Sequence, residues 1–176
     1  MIFLTTSRRP TQRIRSFVKD LSRALPKVRR FNRGKLSLKE LEGLLLKERA
    51  KLVLVSRWKG GPGKIELLSA GKGELRREPP IVCLKGVKLR REYGTPKSFT
   101  VKAITIDDER TRELEELARR FSRFFELPLL EEGEGQLSSL HFRLCDFEGI
   151  WVGVTCPAKR RAVGPSFTIK HLIWSF

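Results

Sequence analysis

The sequence is poor in cysteine, amide side chains and methionine, and its first half has no histidine. The three cysteines (Cys83, Cys145 and Cys156) form no CxxC pair, which argues against a disulfide framework and predicts reduced core residues. No segment approaches the roughly 20 apolar residues of a membrane span, and residues 1–4 are too short for a signal-peptide core. We therefore expect a cytoplasmic protein without a membrane partner. Three amide side chains beside abundant charge are typical of heat-adapted proteins.

Catalytic and metal-binding groups are also scarce. The acids of segment 107–116 fit a helix start and its exposed face, and the acidic segment 131–135 reads as a solvated loop. His141 and Cys145 fall on one face of a predicted strand, with Cys156 and His171 further on, but they do not form the close pairs in which zinc ligands usually occur. The sequence predicts no enzyme, no cofactor, no metal and no small-molecule substrate, and leaves an RNA-processing enzyme as a disfavoured alternative.

Positive charge is abundant and concentrated in one half of the chain. Residues 1–90 carry 24 lysines and arginines against seven acids, a balance of +17, whereas residues 91–176 carry 13 of each. Such a concentration is typical of proteins that bind polyanions, and nucleic acid is the expected partner because neutralised phosphates release counterions. The charge divides the chain into a basic N-terminal half, 1–90, and a neutral C-terminal half, 98–176.

Apolar periodicity and turn residues predict interleaved helices and strands, and therefore an α/β fold with a mixed sheet. One helix begins at Pro10 and stops before Pro26. A second has Ser37 and Glu40 spaced as a capping box and turns Leu38, Leu41, Leu44 and Leu45 inward. A third spans 108–125. The predicted strands are 1–6, 28–31, 51–56, 64–69, 80–89, 98–106, 138–146, 149–155 and 166–174.

The first strand and helix recur at an offset of 100 residues. The recurring polar residues are Thr5, Thr11, Ser22 and Arg23, matched by Thr105, Thr111, Ser122 and Arg123. A duplicated βα unit explains this register, and coincidental helix periodicity is the alternative. The first copy has Arg8, Arg9 and Arg15 where the second has acids. Acids suit the helix macrodipole, whereas arginines there suit a bound phosphate.

Segment 5–13 concentrates hydroxyls, arginines and a helix start, all suited to phosphate oxygens, although a helix cap with solvated arginines would look similar. Arg15, Lys19 and Arg23 lie one turn apart along the same helix. Other cations surround Phe31, whose ring either stacks on a base or belongs to the core. Residues 59–64 predict a hairpin turn rather than a phosphate loop, and Trp58 is either exposed or a hairpin anchor. The RNA-binding residues predicted here are Thr6, Ser7, Arg8, Arg9, Arg13, Arg15, Lys19, Arg23, Arg30, Arg33 and Lys35.

The chain resembles the Brix-domain family of ribosome-biogenesis proteins, small-subunit-processome branch, in its short archaeal type. The matching positions are Thr5, Thr6, Ser7, Arg8, Pro10, Arg13, Phe17, Leu21, Pro26, Asn32, Arg33, Gly34, Leu38, Leu41, 52–55, 61–63, Gly164, Pro165, Phe167 and Ile169. Two departures are segment 71–73 and Ser166, which stands where family members often carry arginine.

The resemblance implies a single Brix domain over 1–176, made of two similar tandem halves with mixed sheets and packed helices. Each half would be like the anticodon-binding domain of class II aminoacyl-tRNA synthetases. It also implies non-catalytic binding of precursor ribosomal RNA, other ribosome-assembly proteins as partners, and RNA contacts at Arg160 and Arg161. A protein-docking scaffold in ribosome assembly is the alternative.

Overall fold

A computed structural model describes residues 1–145, 149–157 and 161–176, which form ten strands and three α-helices. The predicted mixed α/β class is confirmed. No helix within these ranges is long and apolar enough to cross a membrane. The strands are β1 (Ile2–Thr6), β2 (Val28–Arg30), β3 (Lys51–Trp58), β4 (Gly61–Ala70), β5 (Leu75–Lys88), β6 (Ala103–Ile106), β7 (Leu129–Glu131), β8 (Ser139–Cys145), β9 (Gly149–Cys156) and β10 (Arg161–Ile173). The helices are α1 (Gln12–Ala24), α2 (Leu38–Glu48) and α3 (Arg112–Phe125), with 3₁₀ turns at Arg90–Tyr93 and Glu134–Gln136.

All ten strands join one sheet in the order β2-β1-β3-β4-β5-β10-β9-β8-β6-β7. Read inward from either edge, the pattern is the same. β1 lies between its parallel neighbours β2 and β3, and β6 lies between its parallel neighbours β7 and β8. Antiparallel strands follow on each side until β5 meets β10 at the centre.

Threonine caps set where α1 and α3 begin. Thr11 and Thr111 are extended, and their hydroxyls accept hydrogen bonds from the N–H groups of Ile14 and Leu114. The predicted starts at Pro10 and at residue 108 are therefore too early. Arg8, Arg9 and the acids at 108–109 lie before the helices rather than in their first turns.

The two faces of the sheet carry different helices. In β1, Leu4 packs into the main core with α1, whereas Phe3 packs into a second cluster with α2. α3 lies on the same face as α1, since both contribute to the main core. Edge-to-face ring pairs seat both helices on the sheet, Phe17 with Phe167 and Phe121 with Phe142.

The predicted capping box of α2 is present between Ser37 and Glu40. This helix buries only Leu41 and Leu45, and the prediction that Leu38 and Leu44 face inward is wrong, because both are exposed. Leu41 and Leu45, spaced four residues apart, are enough to cover the small second cluster. Leu38 and Leu44 lie beside them on the helix and therefore remain exposed to solvent.

Strand lengths differ most around β6. The predicted strand is 98–106, but β6 begins only at Ala103. The residues before it are held at the end of α1, because the N–H of Val101 donates to the carbonyl of Ala24 at 2.8 Å. β7 was not predicted, since three residues carry no measurable alternation. β10 begins at Arg161, five residues before the predicted start.

Candidate nucleic-acid interface

A cavity of about 280 Å³ lies where β1 and β2 end and α1 begins. Because β1 and β2 are parallel, their carboxyl ends meet at one edge of the sheet, which is where α/β folds commonly bind ligands. The cavity brings together five residues predicted from the sequence, and Pro10, Val18, Phe31, Asn32 and Gly34 complete its lining. The five are Thr6, Ser7, Arg15, Arg30 and Arg33.

Arg33 is the most unusual residue of this cavity, because it is 8% exposed and still cationic. Its Nε donates to the carbonyl of Leu36 at 2.9 Å, and no carboxylate within the described ranges pairs with it. Burial, and then the nearby charge of Arg8, lower the pKa of the Arg33 guanidinium. An anion in the cavity would relieve both effects.

The other buried charges among the described residues have partners of opposite sign. Asp20 accepts a hydrogen bond from the backbone N–H of Arg90 at 2.9 Å and faces its guanidinium. Glu66 lies 2.7 Å from Nε of Arg77. Since buried ions are normally paired, Arg33 differs from these groups in having a charge that an anion could still neutralise.

Backbone contacts hold the segment between β1 and α1 against β3. The N–H of Ser7 donates to the carbonyl of Val55 at 2.9 Å, and the hydroxyl of Ser7 accepts a 3.4 Å bond from the N–H of Arg57. The Arg57 guanidinium reaches the carbonyl of Arg9, which adopts a φ of 54°. Arg8 and Arg9 are exposed, and neither has an acidic partner in the described part of the chain.

Arg13 differs from the other predicted contacts because its guanidinium is already engaged. It forms a 3.1 Å ion pair with Glu92 and donates to the carbonyl of Val87 at 2.8 Å. The backbone N–H of Leu89, followed by Arg13, lowers the pKa of Glu92. Arg13 thus links α1 to the end of β5, which favours a structural role.

The remaining cations of α1 face solvent. Arg15 donates to the carbonyl of Pro10 at 3.0 Å and lines the cavity, and Lys19 and Arg23 follow one and two turns later. Lys35 is exposed beyond the cavity. Within the described ranges, Lys19, Arg23 and Lys35 form no ion pair, so their charges are available to a ligand.

The C-terminal residues implied by the family resemblance lie elsewhere. Arg161 lines a second cavity, formed by the C-terminal half, and Arg160 falls outside the described residues. Ser166 is buried and hydrogen-bonded to the hydroxyl of Tyr93. Its position therefore contributes to packing and not to an exposed surface.

Trp58 is a candidate that the sequence left open. It is 70% exposed near the tip of the β3–β4 hairpin, so it is not an anchor. A groove of about 720 Å³ runs from it past four cations, Arg13, Lys59, Lys85 and Lys170. An exposed indole among cations is the arrangement that stacks unpaired bases. The sequence signal was the tryptophan beside a basic hairpin turn.

The acids of α3, by contrast, are largely paired within their own helix. Glu115 pairs with Arg119 and Glu116 with Arg120, each four residues on. Glu113 accepts a 3.1 Å hydrogen bond from the indole of Trp174. Two of the three acids of α3 are therefore neutralised by arginines of the same helix.

Known proteins resemble the chain in both sequence and fold. No family model matches it. A "Probable Brix domain-containing ribosomal biogenesis protein" of Aeropyrum pernix is 41% identical over 96 residues, 53% of each chain. A protein of the same name from Methanothermobacter thermautotrophicus is 42% identical over 73 residues, 42% of this chain and 44% of that protein. The chain thus spans about half the length of the curated relatives that it matches.

Two solved structures extend the likeness to nearly the whole chain. The probable ribosomal biogenesis protein from Aeropyrum pernix K1 has a TM-score of 0.76 and 28% identity over 98% of both chains. Mil, an archaeal Imp4-like protein, has a TM-score of 0.69 and 24% identity over 98% of this chain and 99% of its own. The second likeness concerns the fold alone. Together they define the class: an α/β protein with the fold that these two archaeal proteins share. The sequence matches bear out the resemblance to the Brix-domain family, because the chain is similar to archaeal proteins named for that domain.

Proposed function

We propose that this protein is a non-catalytic ribosome-biogenesis factor that binds precursor ribosomal RNA, mainly through phosphates on its basic N-terminal half. The observation that carries the proposal is the buried, unpaired guanidinium of Arg33 in a cavity formed by parallel strand ends. The relatives' names supply the biological setting.

The cavity offers the groups that a phosphate needs. Arg33 and Arg30 contribute charge, Thr6 and Ser7 contribute hydroxyl donors, and α1 directs its N-terminus to the same edge of the sheet. No acid occurs in the first turn of α1, so its free N–H groups remain unneutralised. A bound phosphate would make charge-assisted hydrogen bonds with these donors.

The helix extends this site along its exposed face. Arg15, Lys19 and Arg23 are one turn apart, so successive charges rise by about 6 Å along the axis. A row of this kind can follow the backbone of an RNA strand whose first phosphate occupies the cavity. The contacts are charge-based, so they position RNA without reading its sequence.

RNA affinity should fall steeply with salt. If about five phosphates are neutralised, the slope of log Kobs against log salt concentration should be about −3.5 on single strands. Fluorescence anisotropy with a labelled ribosomal RNA fragment at several salt concentrations measures this slope. A slope near zero would rule out the phosphate-based mechanism.

Trp58 should contribute specifically to unpaired RNA. Trp58→Ala is expected to weaken single-strand binding by about 1–3 kcal/mol, because one base loses its stacking surface, whereas Trp58→Phe should retain much of the affinity. Binding to a blunt duplex of the same length, measured in parallel, should change little. Equal losses on both RNAs would contradict a stacking role.

A protein-docking scaffold in ribosome assembly is the second candidate function, favoured by the exposed apolar residues of α2. Leu44 borders a groove of about 280 Å³ that also contains Phe3 and Phe31, and Leu38 is exposed on the same helix. If RNA does not bind even at low salt, docking becomes the favoured function.

We also infer that the two halves derive from one duplicated unit. The matching strand order and the threonine caps 100 residues apart support this inference. The likeness of each half to an anticodon-binding domain, the single-domain boundaries and the heat-adapted source stay predictions.

A further inference from the structure

The second cavity, of about 530 Å³, collects three metal-ligating side chains of the C-terminal half. Asp107 directly follows β6, Glu132 directly follows β7, and His141 lies on β8. β6 is parallel to both neighbours, so these residues meet at one edge of the sheet. One ligand atom from each lies within 4.8 Å of the other two.

The backbone fixes both carboxylate-bearing residues. The N–H of Asp107 donates to the carbonyl of Phe142 at 3.0 Å, and the N–H of Glu132 donates to the carbonyl of Ile106 at 3.2 Å. Their side chains, by contrast, make no hydrogen bond or ion pair within residues 1–145, 149–157 and 161–176.

His141 is oriented rather than loose. It is 6% exposed, and its Nδ1 lies 2.9 Å from the hydroxyl of Thr105. That hydroxyl is 2.7 Å from Ser139, whose own hydroxyl is 3.1 Å from that of Thr155. With Nδ1 engaged, Nε2 is the nitrogen left for a ligand, and it has no hydrogen-bond partner in the described part of the chain. A ring held at one nitrogen by an outer partner is typical of metal-ligating histidines.

The acids near the cluster differ in whether they have a partner. Glu131, next to Glu132, lies 2.7 Å from the guanidinium of Arg110, whereas Asp108 and Glu109 are exposed and form no ion pair within the described ranges. Cations also line the cavity, yet the guanidinium of Arg143 stacks over Trp151, 4.7 Å from the ring centroid, and forms no ion pair with the cluster. The two carboxylates face a buried imidazole instead of the available arginines.

We propose that Asp107, Glu132 and His141 bind a divalent transition-metal ion. Two carboxylate oxygens and one imidazole nitrogen suit Mn²⁺ or Zn²⁺ better than they suit Mg²⁺ or Ca²⁺, because the last two ions prefer sites made of oxygen alone. Three protein ligands leave coordination positions open toward the cavity, where water would bind. Sequence spacing does not reveal this set of ligands, because the three residues are 25 and 9 residues apart in sequence.

Titration of the full chain with Mn²⁺, followed by the electron paramagnetic resonance signal of the free ion, tests the proposal. We expect one saturable site per chain. Asp107→Asn and Glu132→Gln should each weaken binding by more than about tenfold, and Thr105→Val, which releases the ring, by about tenfold. Asp108→Asn is the matched control, since this exposed neighbour removes the same charge outside the cluster.

Absence of a saturable site in the wild-type chain would overturn the proposal, as would equal losses from Asp107→Asn and Asp108→Asn. Thermal melting of each variant separates lost binding from lost folding, and Glu132 is exposed enough to be replaced without disturbing the core. Cys156 lines the same cavity, so Co²⁺ absorption is a second readout. A thiolate charge-transfer band would contradict the proposed oxygen and nitrogen donor set.

Discussion

Replacing Arg33 with methionine is expected to weaken RNA binding by about 2 kcal/mol or more, roughly thirtyfold in Kd. The guanidinium lies in the cavity without a carboxylate partner among the described residues, so a phosphate is the ion that would complete its pairing. Methionine keeps an unbranched apolar stem of similar length and removes only the charge and its donors. Anisotropy titrations with a ribosomal RNA fragment at fixed salt give the change in Kd.

The same substitution should leave the fold nearly as stable as before. The lost hydrogen bond to the carbonyl of Leu36 is worth about 1 kcal/mol, and removing a buried charge beside Arg8 offsets that loss. Arg123→Met is the control, because it removes one exposed charge from α3 and should preserve RNA affinity. A lower melting temperature with unchanged Kd would show that Arg33 is structural.

Local signals in the sequence predicted much of the fold. The capping box at Ser37 and the apolar stripes of the helices act over four to eight residues, so spacing alone reveals them. β7 escaped because three residues cannot show a period. Leu44 was misplaced because periodicity gives an apolar face and not the width of the surface that covers it.

The candidate sites depend on non-local packing and were therefore only partly predictable. Composition identifies Arg33 only as one cation among many. Its burial depends on how the turn at Gly34 packs near β1 and α1. Arg13 was predicted to contact RNA, yet its partner Glu92 is 79 residues away in sequence. The cluster around His141 arises only when the parallel strands β6 and β7 end side by side next to His141 on β8.

Reversing two charges on α1 should greatly reduce RNA binding, whereas the equivalent reversal on α3 should not. Lys19→Glu with Arg23→Glu removes two exposed cations that have no ion-pair partner within the described ranges. Each lost charged hydrogen bond costs about 1.5–3 kcal/mol, so the double variant should lose about 3 kcal/mol or more. The salt slope on single-stranded RNA should also become shallower by about 1.4, as two fewer phosphates are neutralised.

The matched control is Arg119→Glu with Arg123→Glu, which changes the same two helix positions in the C-terminal half by the same charge. Each double variant places one new glutamate in the last turn of its helix. The unfavourable interaction of that glutamate with the helix macrodipole is therefore similar in the two variants. Breaking the ion pair of Arg119 with Glu115 costs about 0.3–0.5 kcal/mol of stability, which makes the control the less stable variant of the two. RNA affinity should nevertheless survive in the control, because in the proposed binding mode the RNA strand anchored at Arg33 runs along α1. Equal losses from both double variants would mean that RNA contacts both halves, and that the concentration of charge in residues 1–90 does not determine where it binds.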